Sequence, residues 1–154
     1  VTRADLLTLA RAIRGDWDAA RVQAGRALAF AERLDDDTGQ TVVAASLHHF
    51  YGAIESLAER TVRAFGQTVS RGERWHQELL EAASWDIEGV RPALFAPSTV
   101  ADLRVLLRFR HFFRHAYAVA WDPEKLGANL VVLARVEPLL ARDIEAFLEV
   151  IETA

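Results

Sequence analysis

From Leu6 to Leu34, apolar residues recur at Leu6, Leu9, Ile13, Trp17, Ala20, Ala24, Ala27, Leu28, Ala31 and Leu34. This spacing of three and four predicts one long amphipathic helix, with Gly15 as a place for a bend. The polar run Asp35-Asp36-Asp37-Thr38-Gly39 ends it in a turn. A second helix is expected from about Thr41 to Phe65, with Val43, Leu47, Phe50, Ile54 and Leu57 on one stripe and Gly66 as its C-terminal cap. A shorter helix follows from about Arg74 to Ile87, and Arg91-Pro92 to Pro97 reads as an extended connector. Ser98 is a good N-cap for a fourth helix running to about Val119, with Asp102 near the positive end of its dipole. Asp122-Pro123-Glu124 repeats the start signal for a last helix carrying Leu130, Leu133, Leu140, Ile144, Phe147 and Ile151. Alternating strand patterns, internal repeats and low-complexity tracts are absent. The expected fold class is therefore all-α: an antiparallel four-helix bundle with an additional short helix, with residues 1–154 as a single domain.

Composition narrows the chemistry. With 51% hydrophobic and 26% charged residues, the chain has the make-up of an ordinary globular protein. It has no cysteine, which excludes disulfides, thiolate metal sites and cysteine nucleophiles. Neither a leader-like segment nor an apolar run of spanning length is visible, so a cytoplasmic protein with no membrane contact is expected. The formal charge of -4 argues against a surface that wraps nucleic acid throughout. The distribution of charge says more. Lys125 is the only lysine, and arginine, which carries the rest of the positive charge, suits planar two-pronged contact with phosphate.

The fourth helix breaks its own pattern. At about 100° per residue, Leu103, Leu106, Phe113 and Tyr117 share a narrow sector, and Arg110 lies in the middle of it. Arg104, Arg108, His111 and His115 form a second, basic stripe about a quarter to a third of a turn away. An unpaired arginine in an apolar seam costs on the order of several kcal/mol, so it needs an anionic partner, water at an interface, or a function. Glu137 is a candidate partner, because it sits between Leu133 and Leu140 in the apolar seam of the last helix. The spacing from Arg110 to His115 means little alone. Chance supplies about half a match in such a composition, and Arg71 to His76 is a second one.

The longer string Arg110-His111-Phe112-Phe113-Arg114-His115-Ala116-Tyr117 is more specific. It resembles the HEPN signature, arginine-polar-x-x-x-histidine, with the x-tyrosine extension found in HepT-like toxins. Tyr51-Gly52-Ala53-Ile54-Glu55 and Trp75-His76-Gln77-Glu78-Leu79-Leu80 also look like parts of a HepT-like block. The resemblance implies a metal-independent endoribonuclease without a cofactor, with Arg110 and His115 catalytic. It implies a homodimer whose site is shared between two copies. It further implies an antitoxin partner, a minimal nucleotidyltransferase encoded nearby, which would transfer adenylate to Tyr117. His111 and Arg114 within the string, and Arg108 and Arg104 on the basic stripe, are the expected supporting or RNA-binding residues.

That chemistry is self-consistent. Cleaving RNA without a metal needs a base for the 2′-hydroxyl proton, an acid for the leaving 5′-oxygen, and cations for the crowded phosphate. His115 can serve as acid or base, and Arg110 can grip phosphate with parallel hydrogen bonds. A spacing of five sets the two side chains about 140° apart around one helix, which a two-fold pairing of helices would correct. Elsewhere, structural roles are expected: structural or surface positions for His48, His49 and His76, a bundle contact for Tyr51 with Glu55, a core position for Trp75, and a solvated turn rather than a calcium loop at Asp35 to Asp37. The alternative function is a catalytically inactive HEPN-type helical module that binds RNA, a nucleotide or a partner protein. A plain helical interaction protein, its basic stripe against an acidic partner, is a third reading.

Overall fold

A computed structural model describes residues 1–115 and 120–154, the side chains of Arg114 and His115 excepted. Its helices are α1 (Arg3–Ala29), α2 (Asp37–Ala64), the short α3 (Trp75–Ala83), α4 (Pro97–His115) and α5 (Pro123–Thr153), with one 3-10 turn at Ala31–Arg33. The only sheet-like feature among the described residues is an isolated antiparallel bridge between Ile87 and Arg91. The expected all-helical bundle with one short extra helix is what forms. α1 lies along α2 and α5, α4 packs on α2 and α5, and α3 sits across α2 and α4.

The apolar stripes converge on one core. Ile13, Phe50, Tyr51, Leu57, Leu103, Leu133 and Phe147 are among its fully buried residues. Each buried Leu, Ile or Phe contributes about 1.5–3 kcal/mol relative to exposure. Ion pairs clip the rim. Asp16 on α1 meets Arg60 on α2 at 2.8 Å, and Arg135 on α5 grips both oxygens of Asp102 on α4 at 2.6–3.2 Å. The Asp102 carboxylate is thus engaged by a neighbouring helix, beyond any service to its own helix's dipole.

The helix ends show where local signals sufficed. α1 starts with a reciprocal capping box between Thr2 and Asp5. It stops at Ala29, ahead of the expected Leu34, because the chain tightens into the 3-10 turn. α2 begins inside the acidic run. Asp36 is its N-cap, accepting from the Gly39 backbone N–H at 2.6 Å. Gly39 is therefore a buried residue of the first turn of α2 and not a helix stop; a Cβ there would lie 1.9 Å from the Arg33 carbonyl oxygen. Gly66, at φ +75°, takes the left-handed conformation just beyond α2.

α4 begins at Pro97, one residue before the expected cap Ser98. Its N-terminus is held from α5, since Asp143 accepts from the Ala96 backbone N–H at 2.9 Å and from the Thr99 hydroxyl at 2.6 Å. Such a cap contributes about 1 kcal/mol, and here it also fixes how α4 sits on α5. α5 starts as expected, with Asp122 as N-cap and Pro123 in its first turn. It then runs unbroken through Pro138, which costs about 3 kcal/mol relative to alanine in a helix interior. Buried Leu133 and Val136 before it, and Leu140 and Ile144 after it, hold both halves in line. No helix among the described residues is long and apolar enough to cross a membrane.

Candidate functional site

Arg110 continues the buried face of α4 set by Leu103 and Leu106, and its side chain is 14% exposed. The carboxylate it approaches is Glu55 on α2, at 3.8 Å, which is beyond hydrogen-bond distance. Glu137, the expected partner, lies instead 3.9 Å from Arg21 of α1. That assignment fails because the seam of α4 faces α2 where Arg110 stands. The Arg110 Nε and Nη1 atoms are buried with no hydrogen-bond partner among the described residues, as is the Tyr51 hydroxyl. The Arg110 guanidinium lies 6.0 Å from the centre of the Tyr51 ring. Burial, reinforced by the Glu55 charge and opposed by Arg110, pushes the Tyr51 hydroxyl well above its ordinary range, so it stays protonated at neutral pH. Buried polar groups without partners are rare, and a cluster of them calls for an explanation.

Arg110 lines an open pocket of about 330 Å³ together with Glu55, Glu59, Arg71, Trp75 and His76. Glu55 and Glu59 are one turn apart on α2, and each holds groups from a different element. Glu55 is 2.6 Å from the Nδ1 atom of His76 on α3 through its second oxygen. Glu59 accepts from Arg71, in the loop ahead of α3, at 2.8 Å. The Arg71 guanidinium also stacks over the Trp75 ring, 3.9 Å from its centre. Trp75 itself is buried, as expected of a core residue, yet its edge faces His76 with ring centres 4.8 Å apart. Two guanidiniums, two carboxylates and an imidazole thus share one cavity wall.

The other candidates are distributed around the end of α4. His111 is half-buried, with its ring 5.2 Å from that of His76 and nearly perpendicular to it. Arg104 and Arg108 are exposed. Arg108 lines a separate, mostly apolar pocket with Phe112, Trp121 and Lys125, so the basic stripe does not converge as a unit on Arg110. The side chains of Arg114 and His115, and Tyr117 altogether, lie outside the described residues. Among the described residues, no group of three or more His, Asp or Glu is placed to hold a metal ion.

Sequence reasoning missed Glu55 and His76. Glu55 was expected to make a bundle contact with Tyr51, and His76 to be structural or on the surface; the structure brings both to Arg110. One signal was available for Glu55. It shares a helical face with Tyr51, Ala58 and Val62, all buried, and a charge on such a face is as out of place as Arg110 is on α4.

A family model described as HepT-like protein matches residues 42–151, which takes in most of α2, all of α3 and α4, and nearly all of α5. Searches of curated proteins and of solved structures gave no match. With the family model covering well over half of the chain, including every described residue of the Arg110 pocket, the protein belongs to the HepT-like family.

Proposed function

We propose that this protein is the ribonuclease toxin of a toxin–antitoxin pair: a metal-independent endoribonuclease that acts as a homodimer and is countered by a minimal nucleotidyltransferase. The observation that carries the reading is Arg110, a largely buried guanidinium that lines an open pocket and has two nitrogens without hydrogen-bond partners among the described residues. A phosphate is the ligand that such a group accommodates best, through two parallel charge-assisted hydrogen bonds. His115, at the end of the same helix, supplies a proton-transfer group, and pairing two copies of α4 brings a second arginine and histidine to one phosphate. Attack by the 2′-hydroxyl then leaves a cyclic phosphate on one fragment and a 5′-hydroxyl on the other.

The test is incubation of a labelled RNA with the purified protein in excess chelator, beside the His115→Ala variant. Cleavage by the unaltered protein, reduced about 10²–10⁴-fold in the variant, is the expected result. Intact RNA with the unaltered protein, or equal cutting by the variant, sinks the assignment and leaves a catalytically inactive binding module in its place. The regulatory half of the reading is checked separately. Co-expression with a neighbouring nucleotidyltransferase is expected to add the mass of adenylate to the Tyr117 peptide; an unmodified peptide in a non-toxic complex would mean inhibition by burial instead.

A further inference from the structure

We propose that Glu55 and His76 form a proton-transfer dyad in the Arg110 pocket, in which His76 is the base that takes the 2′-hydroxyl proton from bound RNA. The proposal rests on the nuclease reading and adds to it a catalytic group from outside the arginine-to-histidine string of α4.

The geometry argues for it in three steps. First, an ionised carboxylate only accepts hydrogen bonds, so at 2.6 Å the Nδ1 atom of His76 is the donor. In the neutral ring this fixes the tautomer in which Nε2 carries the lone pair, and that is the form of a general base. Second, the ring is held in place. Trp75 packs edge-on against it at 4.8 Å between ring centres, and His111 does so at 5.2 Å. A base must be held within reach of the proton it takes before its basicity can count. Third, the opposite oxygen of the same carboxylate lies 3.8 Å from the Arg110 guanidinium, and both His76 and Arg110 line the one pocket. A phosphate seated on Arg110 therefore has a tautomer-fixed imidazole on the same wall.

The step balances without a further reactant. His76 Nε2 takes the proton of the 2′-hydroxyl, and the 2′-oxygen forms a bond to phosphorus. The bond from phosphorus to the 5′-oxygen breaks, and that oxygen leaves with a proton from the acid, the role that falls to His115. Glu55 keeps its own charge throughout; it is a positioning residue that acts through His76.

Cleavage under single-turnover conditions, in excess chelator, separates base from acid when two RNA substrates are compared. One has the natural 5′-oxygen at the scissile phosphate and the other has sulfur in that bridging position, which departs without an acid. His76→Gln is expected to slow both substrates by about 10²–10⁴-fold. His115→Gln is expected to be slow on the oxygen substrate and restored on the sulfur one. Glu55→Gln, which changes little in shape, should slow both substrates by less than His76→Gln does, and it carries the test if His76→Gln fails to fold by circular dichroism. The dyad is overturned if the unaltered protein cuts and the folded variant cuts within about threefold of it, well short of a base's usual contribution. Recovery of His76→Gln on the sulfur substrate also overturns it, since that would make His76 the acid. If the unaltered protein cuts neither substrate, the nuclease reading falls and takes the dyad with it.

Discussion

Replacing Arg110 with methionine is expected to lower the rate of RNA cleavage by about 10²–10³-fold or more while leaving the melting temperature at or above that of the unaltered protein. The two halves of this result come from one observation. In the folded chain Arg110 gains a carboxylate at 3.8 Å, too far for a hydrogen bond. Against that, it buries Nε and Nη1 without partners among the described residues, and each such group costs about 1–3 kcal/mol. Methionine of similar length removes the desolvation cost and fills the same seam beside Leu106 and Phe113. Swaps of buried charge for packed apolar groups are often neutral or stabilising. Glu55 is not orphaned by the change, because His76 still engages it at 2.6 Å. Calorimetry and single-turnover cleavage on the same sample decide the matter. A variant that melts several degrees lower and still cuts RNA would show that Arg110 holds the bundle together and does not hold phosphate.

The largest loss of stability is expected at Arg91. This residue is 3% exposed, and its guanidinium makes five hydrogen bonds. Two go to the Gln67 side-chain oxygen and the others to the carbonyls of Ala82, Trp85 and Pro92, at 2.7–3.1 Å. Burial pulls its pKa down, and the nearby Asp86 charge opposes that shift. Arg91 staples the end of α3 to the loop after α2 and to the turn at Ile87. Arg91→Ala strands several buried carbonyls and leaves a void, for a loss of about 3–5 kcal/mol. In a chain of this size that is a fall of roughly 10 °C in melting temperature. Arg91→Lys should recover little, because one ammonium cannot reach acceptors spread around a planar fork. Urea melts of the three proteins measure this directly, and a loss under about 1 kcal/mol for Arg91→Ala would refute the staple.

What the sequence disclosed and what it withheld divide along a physical line. The helices were legible because their apolar residues repeat at three and four, a pattern each segment carries within itself. Asp122-Pro123 marked the start of α5 for the same reason. The start of α4 lies two residues earlier than a cap at Ser98 implies, because the group that holds it, Asp143, comes from α5. The acidic run reads as a plain turn, yet Asp36 starts α2 there, and the residue it caps, Gly39, fits only because it lacks a Cβ that would meet the Arg33 backbone. Arg91 read as part of an extended connector, since no local pattern reveals that its five hydrogen bonds gather acceptors from Gln67, Ala82, Trp85 and Pro92. At the site, Arg110 was conspicuous as a charge in an apolar seam, but Glu55 and His76 gain meaning only once α2, α3 and α4 meet. The second arginine-to-histidine spacing, Arg71 to His76, has no weight as a motif; the fold nonetheless puts both residues on the wall of the Arg110 pocket.

Pro138 has a consequence for how α5 comes apart. Proline offers no N–H to the Ala134 carbonyl, so the ladder of backbone hydrogen bonds is interrupted in the middle of a helix of 31 residues. The stretch before the gap packs beside α4, where Arg135 grips Asp102. The stretch after it carries Asp143, which caps α4, and Glu152, which meets Arg14 of α1. Geometrically α5 is one rod; the missing bond at Pro138 is a joint at which fraying that starts from one end is expected to stop before it reaches the other.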